Sequence, residues 1–320
     1  MKALRAELVA DRGAAATGPE FFRCPTFLLA EGVTHSLVIG GGRIVLPVIR
    51  RDVIPWGGHD AISPYGYPGG LLRDDPPHVA DIDFTDTGLI SLFVRERLGA
   101  PTLRGGAVRG AVLVHEPSQP RAVTQKVMRE ARSTERLGYR FEAVPSAAVD
   151  DDLLLAFERA YVETMRRVGA GQRYYFGTDY LRDCLRFDSS WLAVVRGPEG
   201  DLASAAFVAI SDGYLHNFLT ATADAHRARS PAKNVMIGMV DQSDELGLPL
   251  NLGGGLRGRA GLHAFKARFT NMTAEFVTHD VVCDHVAYAR LTADRGPTSF
   301  FPAYRAPRTA GGVEGADGSH

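Results

Sequence analysis

Cysteine, lysine and long apolar runs are scarce in this chain of 320 residues. The three cysteines, Cys24, Cys184 and Cys283, are far apart and lack metal-ligand spacing, so neither a disulfide framework nor a zinc site is predicted. No apolar run reaches the roughly 18 residues of a membrane-spanning helix, and charges interrupt the start of the chain. We therefore expect a cytoplasmic protein without a signal peptide or membrane span, its thiols reduced and packed inside.

Three signatures of common enzyme classes are also missing. The sequence has no G-x-x-x-x-G-K-[ST], no H-E-x-x-H and no G-x-S-x-G, which removes the simplest P-loop, zinc-protease and serine-hydrolase interpretations. A net charge of −1 argues against a protein that coats nucleic acid with its whole surface. Residues 121–140 nevertheless contain six basic residues and two acidic ones, Glu130 and Glu135. This segment could form a local basic patch, but charge alone favours a solvated helix face.

The apolar pattern predicts strands and helices in both halves of the chain. Short strands are predicted at "TFLLAEG", "HSLVIGG" and "RIVLPVIRR", and a helix over residues 87–98. Asp150 or Asp151 is a candidate N-cap for a long amphipathic helix. Further predicted elements are helices over 118–137, 232–246 and 262–269, and strands at "WLAVVRG", "LASAAFVAIS", "YLHNFLTAT", "PLNLGG" and "TAEFVTH". This order indicates a duplicated α+β unit, although no internal repeat is clear.

The glycine-rich stretch "NLGGGLRGRAGLHAFKARF" (251–269) contains G-x-G-x-x-G after a predicted strand. It lies near the end of the fold and leads into a short helical turn rather than a βαβ unit, so it does not predict a dinucleotide site. In that turn Leu262, Phe265 and Phe269 share one face, and His263 and Lys266 share another. Only four of the 36 Lys+Arg residues are lysines. In a chain that favours arginine so strongly, each remaining lysine is a slightly better candidate for a functional role.

Four segments occur in the order expected of one transferase family and span most of residues 20–280. They are "SPYGYPGG" (63–70), "AYVETMRRVGAGQRYYFGTDYL" (160–181), "ARSPAKNVMIGMVDQSDELG" (228–247) and "LNLGGGLRGRAGLHAFKARF" (250–269). The chain thereby resembles the FemABX-like transferases, tandem-GNAT enzymes that include peptidoglycan bridge-forming and antibiotic-pathway aminoacyltransferases. The most specific piece is the glycine run leading into L-x-x-F-K-x-x-F. "QKVMREARSTERLGYR" (125–140) is similar to the basic helix that closes the family's first unit.

The resemblance implies an α+β fold of two tandem GNAT-like units with mixed sheets flanked by helices. We expect the first, acceptor-side unit over 1–147 and the second, donor-side unit over 148–305. The tail 306–320 lacks apolar residues and is expected to be disordered. The implied reaction moves an aminoacyl group from aminoacyl-tRNA to an amine acceptor, with no metal or bound cofactor.

The resemblance places Lys266, next to Phe265, beside the reaction centre. An ammonium there would stabilise the tetrahedral oxyanion or steady the terminal ribose and phosphate of the tRNA. The alternative is a surface lysine whose stem covers Phe265. The F-K motif favours the catalytic role of Lys266 over this alternative.

Further substrate-binding candidates follow from the same resemblance. Tyr65 and Tyr67 lie in the loop that is similar to the family's acceptor pocket, where they could orient the acceptor. An equally good interpretation is that the two aromatic rings pack into their own unit and hold the loop in place. Arg166 and Arg167 match a basic position that can bind phosphate, cap a helix or contact the tRNA backbone. The remaining candidates are Ser63, Gly254 and Gly255.

The strand "YLHNFLT" adds His216 and Asn217, one of which must face inward by alternation. A hydrogen-bonded core histidine is favoured slightly over a catalytic base. Asp74 and Asp75 follow the tyrosine loop and could accept a proton, but loop-solubilising acids are the favoured interpretation.

The alternative function is an acyl-CoA-dependent GNAT N-acyltransferase. Such enzymes hold the pyrophosphate on backbone N–H groups of a Gly-rich turn. The corresponding "HRARSPAKN" (226–234) has no glycine, and Pro231 has no N–H, which favours a donor other than CoA. The candidate contacts to tRNA are Arg227, Arg229, Lys233 and Arg257. The alternative interpretation is that these residues form the basic start of a helix and bind no ligand.

The identity of the acceptor, and of the amino acid delivered, has no signature in the sequence. No long heptad run is present, which favours a small soluble amine of specialised metabolism over lipid-linked peptidoglycan. A non-catalytic scaffold of the same fold is a third interpretation, and oligomeric state is open.

Overall fold

The computed structural model describes residues 3–254 and 260–307, and within them the chain forms fourteen strands and seven helices. The strands are β1 (Leu4–Val9), β2 (His35–Ile39), β3 (Ile44–Asp52), β4 (His59–Ile62), β5 (Leu71–Leu72), β6 (Ile82–Asp83), β7 (Leu89–Arg95), β8 (Ala107–His115), β9 (Arg140–Pro145), β10 (Ser190–Arg196), β11 (Leu202–Ser211), β12 (Tyr214–Thr222), β13 (Leu250–Asn251) and β14 (Met272–Val282). The helices are α1 (Pro25–Ala30), α2 (Gln125–Arg136), α3 (Asp151–Arg167), α4 (Thr178–Cys184), α5 (Ala232–Leu246), α6 (Ala260–Ala267) and α7 (His285–Thr292). The predicted α+β class is confirmed.

Two compact units are present, and neither coincides with a predicted one. The first combines residues 1–111 with 275–320, and the second is 112–274. The predicted boundary at 147/148 therefore falls inside the second unit. The assignment of 1–147 and 148–305 to separate GNAT-like units stays a prediction, and the predicted tail lies almost entirely outside the described residues.

The first unit is built on a mixed sheet. Its strand order is β6-β1-β2-β3-β4-β7-β14, with β5 on β3, and the β1–β6 and β4–β7 pairs are parallel. The core contains apolar residues of β2, β3 and β7, including Leu37, Leu46 and Leu92.

The second unit is built on the order β13-β12-β11-β10-β9, with the end of β8 beside β13. Strand β10 is buried on both faces: Ala193 and Val195 join the cluster with α5, while the intervening Leu192 and Val194 are fully buried on the other side. Strands β12 and β13 are parallel and pair only through Leu215–Leu250 and His216–Asn251. Residues 252 and 253 continue hydrogen bonding to Leu113 of β8, so the two parallel strands diverge beyond this point.

Two predicted elements were wrong. "TFLLAEG" forms helix α1, begun by Pro25 in the first turn and packed through the buried Phe27 and Leu28. Residues 87–98 contain strand β7, whose seven residues are all buried, so its mostly apolar run was ambiguous between a buried strand and a helix. The N-cap at Asp150 is confirmed, because its carboxylate accepts the Leu153 N–H at 2.8 Å.

Candidate functional site

Helix α6 carries Lys266 at the edge of the second unit's core. The neighbouring Phe265 packs against that core, its ring edge-on to the fully buried Phe269 with 5.3 Å between centroids. The half-buried Lys266 side chain is withdrawn from water, which lowers the pKa of its ammonium to about 8. Desolvation is the one cause of that shift, and no described carboxylate offsets it. Leu262 is 38 % exposed, so the predicted anchoring face is reduced to the two phenylalanines.

The backbone of Gly253 lies next to the Lys266 ammonium. A Cβ at Gly253 would stand 3.6 Å from Nζ, and the residue has a left-handed φ of 76°. Glycine adopts that conformation without the penalty of a side chain, and a Cβ here would make ordinary contact with the cation rather than a clash. Gly254 is exposed, while Gly255 and Arg257 lie outside the described residues.

The Gly253 turn is tied to β12 through Asn251. The Gly253 N–H donates to Asn251 Oδ1 at 2.7 Å, and Asn251 Nδ2 lies 3.1 Å from His216 Nδ1. The other ring nitrogen of His216, Nε2, lies 3.2 Å from the Ser211 carbonyl oxygen. Asn251 and His216 are each 2 % exposed. This series of contacts was not predicted from the sequence.

The environment of His216 favours the core-histidine interpretation. Removal from water lowers the pKa of His216 to about 4, and both ring nitrogens have hydrogen-bond partners. A general base needs a lone pair directed at the substrate, whereas Nδ1 is engaged by Asn251. His216 therefore acts within the fold, and its predicted contact with substrate has no support from this geometry.

Asn217 lies beside a β-bulge. The β11–β12 register shifts by one residue, so that Phe218 is the extra residue between the Val208–Asn217 and Phe207–Leu219 pairs. Asn217 is half-buried and its Oδ1 accepts the Thr220 hydroxyl at 2.7 Å. Bulges redirect side chains at strand edges, and this one occurs where β12 leaves β13.

The tyrosine loop, residues 63–70, belongs to the first unit and is held by buried hydrogen bonds. Ser63 is 2 % exposed, and its Oγ accepts the Arg95 N–H at 2.8 Å. The Arg95 guanidinium donates to the Ser63 carbonyl oxygen at 2.8 Å, and Arg23 donates to the Pro68 carbonyl oxygen at 2.5 Å. Ser63 thus supports the loop rather than presenting a hydroxyl to solvent.

The two tyrosines of this loop are half-buried. The Tyr65 N–H donates to Glu31 Oε2 at 2.7 Å. The Tyr67 ring packs edge-on between Phe22 and Phe276, at 5.8 and 5.5 Å between centroids. The interpretation as aromatics that fix their own loop is therefore supported, and contact with an acceptor stays a prediction.

The C-terminal end of α3 presents the two predicted arginines differently. Arg166 is exposed. Arg167 is half-buried, forms an ion pair with Asp224 and donates to Thr164 Oγ1 at 3.1 Å. Arg167 is thus committed to packing α3 against the turn after β12, whereas Arg166 keeps an available guanidinium.

The predicted tRNA contacts also divide. Arg227 and Arg229 are exposed on the turn before α5. Lys233 is 14 % exposed, and its ammonium pairs with Glu130 Oε2 at 3.0 Å. Arg268, just beyond α6, meets the same oxygen at 3.3 Å. Glu130 therefore connects α2, α5 and the end of α6, and Lys233 serves that connection.

Helix α2 exposes a stripe of cations opposite its buried Val127 and Ala131. This basic face of α2 consists of Lys126, Arg129, Arg132 and Arg136. The ion pairs of α2 within the described residues run through Glu130 instead. The turn at Arg227 adjoins the helix, because His226 Nδ1 lies 2.9 Å from the Tyr139 hydroxyl just past its end.

The structure brings together Lys266, Gly253 and, through Asn251, His216. Ser63, Tyr65 and Tyr67 form a group within the first unit. Asp74 is exposed and pairs with Arg43, in line with a loop-solubilising role. Across residues 3–254 and 260–307, no group of three His, Cys, Asp or Glu side chains is arranged to hold a metal ion.

Sequence reasoning missed Asn251 and Glu130. An Asn two residues before a left-handed glycine is a local signal, since its side chain can accept the N–H two positions on. Glu130 carried no such signal, because its two partners lie far along the chain, one on α5 and one just beyond α6.

Comparison with known proteins gives one matched domain and a shared fold. The family model for the acetyltransferase (GNAT) domain matches residues 121–261. The fold is shared with the C-terminal domain of a protein assigned as a lysylphosphatidylglycerol synthetase from Agrobacterium fabrum (14% identity, 89% of this chain and 96% of that one, TM-score 0.57). It is also shared with FemX (10%, 80% and 89%, TM-score 0.56) and L-PGS from Bacillus licheniformis (12%, 82% and 90%, TM-score 0.54). No curated protein matches.

The predicted resemblance to FemABX-like proteins of tandem GNAT fold is thereby confirmed, as a shared fold with one matched GNAT domain. These findings support an acyltransferase of the GNAT class. Among the helices of the described residues, none has the length and apolar character to cross a membrane.

Proposed function

We propose that the protein is an aminoacyltransferase that moves an aminoacyl group from aminoacyl-tRNA to a small amine acceptor. The acceptor amine attacks the ester carbonyl, a tetrahedral oxyanion forms, and the ribose hydroxyl leaves as the amide bond is completed. The Lys266 ammonium would face the developing oxyanion. Its withdrawal from water strengthens that interaction, and a pKa of about 8 keeps it mostly protonated at neutral pH.

The observation that carries the choice of donor is the hydrogen bonding of the turn before α5. The Ser230 N–H donates to the Arg227 carbonyl oxygen at 3.0 Å, Lys233 N–H to Ser230 at 3.2 Å and Asn234 N–H to Pro231 at 2.9 Å. A pyrophosphate needs several adjacent free N–H groups, and Pro231 has none. Three N–H groups of this turn are thus already hydrogen-bonded, and Pro231 offers none to a CoA pyrophosphate.

The basic face of α2 supports an RNA donor. Nucleic acid binding draws on cations spread along a surface, each of which neutralises a phosphate. Exposed Lys126, Arg129, Arg132 and Arg136 meet that requirement, and Arg227 and Arg229 extend the charge beside the end of the helix. Glu130, the acid within this region, is already neutralised by Lys233 and Arg268. A phosphate backbone along α2 would end near α6, which Arg268 joins to Glu130.

In this proposal the acceptor is a small amine of specialised metabolism, the reaction takes place in the cytoplasm, and no metal or bound cofactor takes part. Tyr65 and Tyr67 are the candidates for orienting the acceptor. Lys266 acts on the donor ester. No residue is assigned as general base, since His216 is engaged on both nitrogens.

The competing proposal is an acyl-CoA-dependent N-acyltransferase. It is favoured by one observation, the match of residues 121–261, which include the α5 turn, to an acetyltransferase domain model. In that case the pyrophosphate would rest on exposed Arg227 and Arg229 side chains rather than on backbone N–H groups.

The deciding experiment offers the enzyme tRNA charged with labelled amino acids and, in parallel, labelled acetyl-CoA, with a panel of amines. We expect product from charged tRNA that vanishes when RNase is added first. Product from acetyl-CoA that RNase does not affect would refute the tRNA donor and establish the alternative.

A binding experiment tests the basic face of α2 separately. Arg132→Glu should weaken tRNA binding and flatten its dependence on salt, because at least one phosphate contact is lost. Arg159→Glu is the matched control: Arg159 is an exposed arginine on α3, in the same unit but outside the proposed surface. Equal loss of binding in both variants would mean that overall charge, not this surface, attracts RNA.

A further inference from the structure

The contacts from Ser211 to Gly253 have fixed directions. A carbonyl oxygen can only accept, so the Ser211 carbonyl requires that His216 Nε2 carry the proton and donate across 3.2 Å. The neutral imidazole then has an unprotonated Nδ1, which must accept from Asn251 Nδ2 at 3.1 Å. With its NH₂ facing His216, Asn251 directs Oδ1 to the Gly253 N–H at 2.7 Å. Each donor and acceptor follows from the previous one.

The last bond of this chain acts on the turn beside Lys266. The Gly253 carbonyl oxygen accepts from the Leu113 N–H at 3.2 Å, so strand β8 holds one side of the residue and Asn251 the other. Together they stabilise the left-handed φ of 76°. The Cα that faces Lys266 Nζ is therefore held from two directions while carrying no side chain of its own.

We propose that Asn251, oriented by His216, is a positioning residue that holds the Gly253 turn against Lys266 and thereby sets the orientation and hydration of its ammonium. This rests on the proposed function, in which that ammonium stabilises the oxyanion. Without the Asn251 bond the Gly253 N–H is unpaired, the left-handed turn relaxes, and water reaches Nζ. The ammonium then keeps its proton to higher pH and is less well aligned.

The first test is kinetic and uses the full chain. Asn251→Ala should lower kcat about tenfold or more with little change in KM, because alignment rather than binding is lost. Its activity should also persist to higher pH than that of the wild type, since a hydrated Lys266 stays protonated longer. His216→Phe should act in the same direction, whereas His216→Gln, which retains one donor and one acceptor, should restore most of kcat.

The control for a general loss of packing is Ser243→Ala. Ser243 is fully buried in the same unit, and its Oγ donates to the Leu248 carbonyl oxygen at 2.6 Å at the far end of α5. We expect this variant to be less stable yet to keep the wild-type pH profile. A pH profile that moves equally in Ser243→Ala and Asn251→Ala would overturn the positioning role.

The second test does not depend on activity. Reductive methylation with ¹³C-formaldehyde labels the few lysines, and the signal of Lys266 is identified by its loss in Lys266→Met. Its NMR titration should move upward from the wild-type midpoint in Asn251→Ala and His216→Phe, and stay near it in His216→Gln. An unmoved midpoint in folded Asn251→Ala refutes the inference. A moved midpoint in a protein without tRNA-dependent transfer keeps the inference and refutes the proposed function.

Discussion

Two glycine-containing loops carry the family-like motifs, and they are built in opposite ways. In the tyrosine loop, Gly66 lies directly against the Phe22 ring and has a φ of 88°. Its neighbours are fixed by hydrogen bonds to Arg95, Arg23 and Glu31. The loop has a determined shape, and its polar groups are directed into the first unit.

The Gly253 turn is held by fewer hydrogen bonds, and it lies beside a desolvated cation. Among the described residues, Gly253 itself is held by one side-chain bond and one backbone bond, and the Lys266 ammonium beside it has lost water without a described counter-charge. Folding does not select such an arrangement for stability, because a desolvated cation is unfavourable. Strain and desolvation of this kind concentrate where chemistry occurs. The contrast separates a loop that maintains structure from one that lies beside the desolvated ammonium of the proposed reaction centre.

The largest effect is expected at Lys266. Lys266→Ala should lower kcat/KM about 10²–10³-fold, the range found when one oxyanion donor is removed, while the fold persists. Single-turnover transfer from charged tRNA measures it, with Lys266→Arg expected to retain part of the rate because the charge is kept. Full activity in Lys266→Ala would make this residue a surface lysine that covers Phe265.

The second prediction concerns stability in the other loop. Gly66→Ala forces an L residue into the left-handed region and drives its Cβ into the Phe22 ring. The expected loss in the free energy of unfolding is about 2–4 kcal/mol, from backbone strain and overpacking together. Urea denaturation measures it. A loss below that of Gly253→Ala would mean that the tyrosine loop is the more adaptable of the two.

The sequence predicted local features well and long-range contacts poorly. Local patterns located the Asp150 N-cap, helix α5 over 232–246 and the F-K pair on a short helix, because each depends on neighbours within a few positions. Strand β7 was assigned wrongly because all seven of its residues are buried, which removes the alternation of a half-exposed strand. Helix α1 was assigned wrongly because its six residues are too few to show a helical period.

The parts of the site that the sequence did not predict come from long-range pairing. His216 and Asn251 are 35 positions apart and meet because β12 and β13 are parallel neighbours. Glu130 is 103 positions from Lys233, and helix packing alone brings them together. No local pattern specifies either pair, so the fold was needed to identify the partners of His216, whose role as a hydrogen-bonded core histidine the sequence already favoured slightly.

The third prediction sharpens the contrast between the glycines. Gly253→Ala should cost about 1–2 kcal/mol in unfolding free energy from the left-handed φ alone, because a Cβ 3.6 Å from Nζ makes ordinary contact without a clash. The added methyl displaces water from the ammonium, so the pKa of Lys266 should fall further and activity should be lost at lower pH than in the wild type. An alkaline limb that stays in place or moves upward would contradict the proximity of Gly253 to Nζ.

The smallest effect is a gain. Lys266→Met removes the desolvated charge while keeping the length of the side chain, so the inactive variant should be more stable than the wild type by about 1 kcal/mol at pH 7. The pKa of Lys266 is about 8 in the folded protein, against 10.5 for a fully hydrated lysine, so the unfolded chain binds the extra proton between these values. Wild-type stability is therefore penalised fully below pH 8, and the penalty shrinks as pH rises through 8 towards 10.5. The advantage of Lys266→Met, measured as the difference in Tm, should be greatest at neutral pH and decline across that window. A difference in Tm that is constant with pH would mean that Lys266 is well hydrated. The two loops would then differ in shape, but the Gly253 turn would not lower the stability of the protein more than the tyrosine loop does.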